Sequence, residues 1–433
     1  MLLAKEAYIV DIIEKSTHEI CDSTWPLDGS NTQSLAASAL EDIIQSFGTL
    51  EQELFTQLQW QMRSPIFLGL ESTFPALDHL TVPDQLSLPW TAQEKIGESM
   101  HGELSSVHRI KIHADHFDFE TVGDTFALKV LEKGKVVRIA ETDFEDEMAA
   151  NQRATHPRIT PLLAAFKHRN KFHLLFPWAD GGNLQQLWRK YEPYPGLDGQ
   201  KAPWFSVGWM VDQCYHIADA LATIHGHPSN EGGHFYQSQL HHDIKPENVL
   251  CFDDSRDVTS TFKLKLTDFG LSLPADSQSN LPRDLIAETK TYRPPERDIE
   301  GSNLGQKWDI WCLGCLYLDF ITWAILGHRG VRKFEKARLD EKDQPSGPVD
   351  EDTFFIKKRL VGRCWWPRKT VLTVAEIKSS VILHIRELLG HVRCSDDCAE
   401  FLRYIEERML VIDSNQRDDS SKVRDFLHKW AFE

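Results

Sequence analysis

The chain has 433 residues, of which 41% are hydrophobic and 26% charged, a globular composition that excludes wholesale disorder. Its formal net charge of −17 leaves no basic surface for counterion release, so nucleic acid is not an expected partner, although a nucleotide needs only a few local cations. No apolar run approaches the roughly 20 residues that span a bilayer, so no membrane partner is expected. The opening "MLLAKEAYIVDIIEKS" interrupts its apolar residues with Lys and Glu and reads as an amphipathic helix rather than a signal peptide. Eight scattered cysteines suit reduced thiols in an intracellular compartment, cytoplasmic or nuclear. Cys312 and Cys315 form a CxxC inside the apolar run "DIWCLGCLYLDFI" with no second pair at zinc spacing, so they read as core. Cys394 and Cys398 read the same way.

In chain order, residues 1–90 come first. "SLAASALEDIIQSFGTLEQELFTQLQWQM" repeats apolar residues at three and four, which predicts a helix or helix pair. "ESTFPALDHLTVPDQLSLPW" is rich in Pro and turn residues and reads as a connector. From Glu94 the runs become short and β-like: "VHRIKIHA", "TFALKVLE", "KFHLLFPW". Between the last two, "TDFEDEMAANQRATHPRI" reads as a helix opened by a capping box from Thr142 to Glu145. After Gly181 the pattern is mainly helical, as in "SVGWMVDQCYHIADALATIHG" and "SSVILHIRELLGH". A β-rich part followed by a helical part predicts an α+β chain of two packed lobes. Residues 226–239 and 336–352 read as surface insertions.

Chemistry concentrates in "LHHDIKPENVL", residues 240–250. Two His, an Asp, a Lys and an Asn surround one X-Pro bond, more polar groups than a solvated turn needs. "LKLTDFGLS" follows at 264–272, "FALKVL" precedes it at 126–131, and "TKTYRPPE" and "WDIWCLGC" follow at 289–296 and 308–315. In order and spacing these five segments resemble the eukaryotic protein kinase superfamily, serine/threonine type, over roughly residues 92–430. The hinge phrase "LLFPWADGGNL" and the insertions also look similar to kinase-like domains of filamentous fungi.

The resemblance implies a bilobal kinase fold: a helical extension and linker over 1–90, then a kinase domain over 91–433, with an N-lobe to about 178 and a C-lobe from about 179. It implies ATP and Mg²⁺ as cofactors and a protein substrate. Lys129 would hold the α- and β-phosphates and be held by Glu147, ten residues before Pro157. Asp243 would accept the substrate hydroxyl proton, Lys245 would steady the γ-phosphate, and Asn248 and Asp268 would offer the oxygen ligands that Mg²⁺ prefers. Phe176 would be the gatekeeper, with the Pro177 carbonyl and the Ala179 N–H facing adenine. Asn183 would reach the ribose, and Ala127 and Leu250 would sandwich the ring. Lys245, two residues after Asp243, and Thr289, seven before Glu296, follow the serine/threonine pattern. Glu296 would pair with Arg417, and Asp309 would hold the catalytic loop.

The chain also departs from the family. "IGESMHGELSSVHRI" fits the glycine-rich loop in two registers, one using Gly97, Ser99 and Gly102, the other Met100, Gly102 and Ser105 with Val107 on the adenine. Neither has three glycines, which weakens backbone approach to phosphate. His242 stands where the family has an arginine that receives an activation-segment phosphate, and polar Asn151 takes a position that is usually apolar. An active kinase is therefore weighed against a pseudokinase-like scaffold that binds nucleotide with little catalysis. A small-molecule kinase fits "RPPE" and "DIWCLG" less well. The extension reads either as a packing element or as a module for a protein partner.

Overall fold

The computed structural model describes residues 45, 48–49, 52, 64–69, 80–98, 105–119, 123–131, 137–194, 200–201, 205–232, 234–235, 237–253, 261–274, 290–299, 305–342, 351–361 and 371–430. The chain divides into two compact units. The first comprises residues 1–71, 78–140 and 163–176; the second comprises 72–77, 141–162 and 177–433.

The first unit is built on a six-stranded sheet. Its strands are β1 (Leu80–Thr81), β2 (Trp90–Glu98), β3 (Ser105–Ile112), β4 (Thr125–Leu131), β5 (Ala164–His168) and β6 (Lys171–Pro177), in the order β1-β5-β6-β4-β3-β2. Alternation of side chains fixes the register. On β4, Phe126, Leu128 and Val130 are buried, while Ala127 and Lys129 are half-buried on the opposite face. The buried set meets Ile110, Ile112 and Phe166 in one apolar cluster. Part of the sequence before residue 90 completes that cluster. Phe67 stacks on Trp90 at 5.6 Å and lies 5.0 Å from the Phe166 ring, and Val82 and Leu86 are buried. The helix pair expected over 34–62 lies outside the described residues, save for helical Gln45, Thr49 and Gln52.

The second unit is chiefly helical. Helix α1 (Val137–Arg153) supplies its residues from 141 onward. Then come α2 (Leu184–Lys190), α3 (Val207–Ile224), the hairpin of β7 (Val249–Asp253) and β8 (Phe262–Leu266), and α4 (Lys307–Asp340). Helix α4 turns at Gly327, whose φ of 72° glycine adopts at no steric cost. Its first half is apolar enough in composition to cross a membrane, yet 94% of that window is buried inside the unit. Trp308, Trp311, Cys312, Cys315 and Trp323 form the core there, as the apolar pattern predicts.

Two expectations are corrected. The capping box at Thr142 does not form, because α1 already runs from Val137, so Thr142 lies within the helix and is exposed. The stretch after α4 is not purely surface insertion and helix. An antiparallel hairpin, β9 (Phe355–Val361) with β10 (Val371–Ile377), precedes α5 (Ser379–Leu389). Arg338 of the expected insertion is buried between the Phe334 and Phe354 rings at 4.1 and 4.2 Å.

Candidate active site

Asp309, near the start of α4, is wholly buried and organises the loop before β7. Its carboxylate accepts the backbone N–H groups of His241 and His242, both at 2.8 Å, and the His225 ring at 2.9 Å. Burial alone would raise its pKa, but the His225 hydrogen bond and the surrounding imidazoles more than offset this and hold it below the usual carboxylate value. His225 is held in turn by Ser420 at 3.0 Å. The expected role of Asp309 is therefore seen directly. His225 went unnoticed in the sequence, because its partner lies 84 residues away and nothing local marks it.

With the loop so fixed, His241, Asp243, Lys245 and Asn248 are all buried. Lys245 Nζ lies 2.6 Å from Asp243 Oδ2. The Asn248 amide donates to Asp243 Oδ2 and to the Asp243 carbonyl, both at 2.8 Å. Pro246 starts a short 3₁₀ turn ending at Asn248, which brings the amide back over Asp243. His241 Nδ1 accepts from the Asp243 N–H at 3.4 Å, so its Nε2–H is the donor to the Thr267 carbonyl at 3.1 Å. This links the loop to the segment that carries Asp268.

Four non-glycine residues have left-handed φ among the described residues. Arg169 and Asn170 form the β5–β6 hairpin; the others are His242 (69°) and Asp268 (65°). Such strain persists where surroundings over-determine it, commonly at functional sites. His242 is 4% exposed and stacked on Trp308 at 4.7 Å, and burial pushes its imidazole pKa below the ordinary value. Beyond Asp268, Phe269 is buried beside the His241 ring. A Cβ on Gly270 would meet both Asp268 Oδ1 and Glu147 Oε2 at 3.3 Å, so the buried Glu147 carboxylate borders the Asp268 turn. Asn151 is satisfied within its own helix, donating to the Glu147 carbonyl at 2.8 Å.

The stretch after β6 docks on β7. Gly181 N–H donates to the Cys251 carbonyl at 2.9 Å, and Cys251 N–H returns to the Gly182 carbonyl at 2.8 Å. A Cβ on Gly181 would stand 2.6 Å from Phe262 and 2.7 Å from Cys251 Cβ, so glycine alone fits. Ala179 is buried, and Leu250 bridges to Asn183. Asn183 Oδ1 caps α2 through the Gln186 N–H at 2.9 Å. The first unit carries Ala127 and Lys129 on β4 and Gly97 on β2, where Gly97 pairs with Val107 beside a register shift. Gly102 and Thr289 lie outside the described residues.

Glu296 and Arg417 form the expected pair, a buried bidentate bond at 2.6 and 2.7 Å. The preceding turn is anchored by Tyr292, whose hydroxyl donates to Asp319 at 2.6 Å, and by Thr291, which donates to Asp352 at 2.8 Å. His156, Asp219 and Glu231 also bring ligand-type atoms within 4.8 Å of one another. Asp219 already accepts from His156, Ser229, Asn230 and Arg424 there, so this is a docking joint for the 226–239 segment.

A family profile described as "Protein kinase domain" matches residues 90–423. The chain is 29% identical over 222 residues to "Aurora/IPL1-related protein kinase 2" of Caenorhabditis elegans, covering 51% of this chain and 60% of that protein. It is 26% identical over 231 residues to "Cyclin-dependent kinase-like 4" of Mus musculus, covering 53% and 55%. To "Aurora kinase B" of Xenopus tropicalis it is 30% identical over 197 residues, covering 45% and 46%. The chain thus spans about half the length of these relatives. With the Asp243 loop, the Asp268 turn and the Glu296–Arg417 pair in place, the profile match over most of its length makes this chain a member of the eukaryotic protein kinase family.

Proposed function

We propose that this protein is an ATP- and Mg²⁺-dependent serine/threonine kinase that transfers the γ-phosphoryl group to a protein hydroxyl. The observation that carries the reading is the buried Asp243–Lys245–Asn248 unit, held from below by Asp309. Bound ATP and Mg²⁺ supply the phosphoryl group and neutralise its charge; the remaining roles fall to side chains. Asp243 takes the hydroxyl proton. Lys245, already on Asp243 Oδ2, screens the approach of phosphate. The fit to a hard cation rests on donor chemistry. Both contacts of Asn248 to Asp243 use its amide nitrogen, so its side-chain oxygen is the atom it would offer a metal, together with the Asp268 carboxylate. Lys129 positions phosphate, Glu147 orients Lys129, and Thr289 packs beside Asp243. Ala127, Ala179, Asn183 and Leu250 seat the nucleoside, with Gly97 and Gly102 in the covering loop. ATP as donor places the activity inside the cell.

Serine/threonine choice rests on Lys245 following Asp243 by two residues and on distant relatives. A nucleotide-binding scaffold is the second reading, favoured by the glycine missing from the covering loop, at Ser99 in one register or at Met100 and Ser105 in the other. Purified protein is assayed with labelled ATP on peptide pools bearing only serine, threonine or tyrosine as acceptor. Label in the serine and threonine pools, lost in Lys129→Met, is the expected result. Nucleotide binding with no transfer to any pool supports the scaffold, and label confined to tyrosine overturns the hydroxyl class.

A further inference from the structure

The first unit's sheet carries a second polar centre on the face opposite Lys129. Phe126, Leu128 and Val130 mark that face on β4. Across the β3–β4 ladder, Ser106 pairs with Val130 and His108 with Leu128. Leu128, Val130, Ser106, His108 and His173 line a groove of about 790 Å³, a volume within the rough 300–1,000 Å³ range of small-molecule sites.

His173 is the anomaly. It is 6% exposed, stacks face to face on Phe166 at 4.6 Å, and neither ring nitrogen has a hydrogen-bond partner among the described residues. The His168 backbone is near enough to favour its protonation slightly but closes no hydrogen bond to it. An orphaned polar pair of this kind carries a desolvation cost that a ligand can relieve. The other polar groups are already ordered. Gln93 donates to His108 Nδ1 at 3.3 Å, so His108 Nε2–H donates to Ser106 Oγ at 3.0 Å. That leaves the serine hydroxyl hydrogen to donate elsewhere. His168 is spent on the Leu86 carbonyl at 3.2 Å.

The charges around the groove have one dominant sign, although the chain is strongly acidic. Lys95 lies on β2, Arg169 on the β5–β6 hairpin and Lys171 at the start of β6, and all three border the groove. Arg169 is fixed by Asp84, which accepts its N–H at 2.8 Å and, through the Asp84 carbonyl, its Nε at 3.1 Å. Burial first, then the neighbouring His168, Lys171 and His108, hold the His173 imidazole down to about 4. Burial disfavours charge on the imidazole itself, whereas the cationic rim of Lys95, Arg169 and Lys171 favours an anion in the groove.

We propose that this face is an oxyanion site, with His173 and Ser106 as its floor and Lys95, Arg169 and Lys171 as its rim, for a small molecule bearing a phosphate or carboxylate. The proposal is independent of the kinase reading. Neutral His173 carries one buried, unpartnered N–H beneath the groove, Ser106 offers one O–H, and the rim supplies charge-assisted donors.

The test uses the full chain, ¹³C-labelled at histidine, titrated without nucleotide against inorganic phosphate and, separately, acetate. One ring resonance, assigned by its loss in His173→Phe, should shift saturably. Affinity measured by calorimetry should fall at least about tenfold in Lys95→Ala/Lys171→Ala, a loss of about 1.4 kcal/mol, and should persist in Lys129→Met. A stronger response to phosphate assigns a phosphate ester, and a stronger response to acetate assigns a carboxylate. The surface double variant keeps the test decisive even where His173→Phe folds poorly. A His173 resonance unmoved by both anions, or a double variant that binds as wild type does, overturns the proposal.

Discussion

The catalytic loop and the groove-bearing face of the first unit's sheet are both rich in histidine, and they use most of it differently. At the loop, His241 and the His225 ring beneath it have both nitrogens engaged and help to place Asp243, while His242 keeps one buried nitrogen without a partner among the described residues. On the sheet, His108 and His168 are bonded while His173 is buried with both nitrogens unspent. A closed network fixes a geometry for chemistry. An open one keeps its hydrogen-bonding capacity for something that arrives.

The largest break in this contrast comes from Asp268→Ala. It removes the carboxylate proposed as the main Mg²⁺ ligand and should abolish Mg²⁺-dependent transfer while leaving the fold intact; a phosphate-transfer assay with a thermal melt checks both. Next is Asp309→Ala. It strips an acceptor from two backbone N–H groups and from His225, all buried, and should cost about 3–5 kcal/mol in urea unfolding. Asp309→Asn, which keeps an acceptor oxygen, should fall between that variant and wild type.

A smaller effect is pH dependence. Burial holds His173 and His384 down to about 4, against about 6.5 unfolded. Above pH 6.5 neither state binds a proton there. Below it the unfolded chain gains protons that the native chain refuses, so stability falls as pH drops from 6.5 toward 4. Unfolding midpoints at pH 7 and pH 5 should show this, and His173→Phe should flatten the slope.

The smallest expected effect is an absence of change. His242 is buried, stacked on Trp308 and poorly basic, so it cannot offer the charged fork with which arginine grips a phosphate. Phosphatase-treated protein made in bacteria should therefore keep its basal transfer rate at pH 7.5. A large loss on dephosphorylation would mean that another cation, Lys290 or Arg283, has assumed that role.

How much was legible in the sequence follows from distance along the chain. Asp243, Lys245 and Asn248 sit within six residues, so their order could be read directly, and Asp309, Glu296 and Arg417 followed from the family resemblance. The His225–Asp309 bond could not be read, because it joins helices far apart in sequence. The start of α1 at Val137 overrode a local capping signal at Thr142, because the helix continues through Thr142 from the preceding turn. The β9–β10 hairpin was lost in a stretch whose charged residues obscure the alternation. The groove was invisible for the same reason as His225: Ser106, His108 and His173 meet only when β3, β4 and β6 are laid side by side.

The central claim is that Asp243 acts as the base in phosphoryl transfer. Single-turnover transfer from labelled ATP, comparing wild type with Asp243→Asn at saturating nucleotide, tests it most directly. The account predicts unchanged nucleotide affinity and a rate lower by about 100- to 10,000-fold in the variant. Equal rates in the two proteins would contradict it.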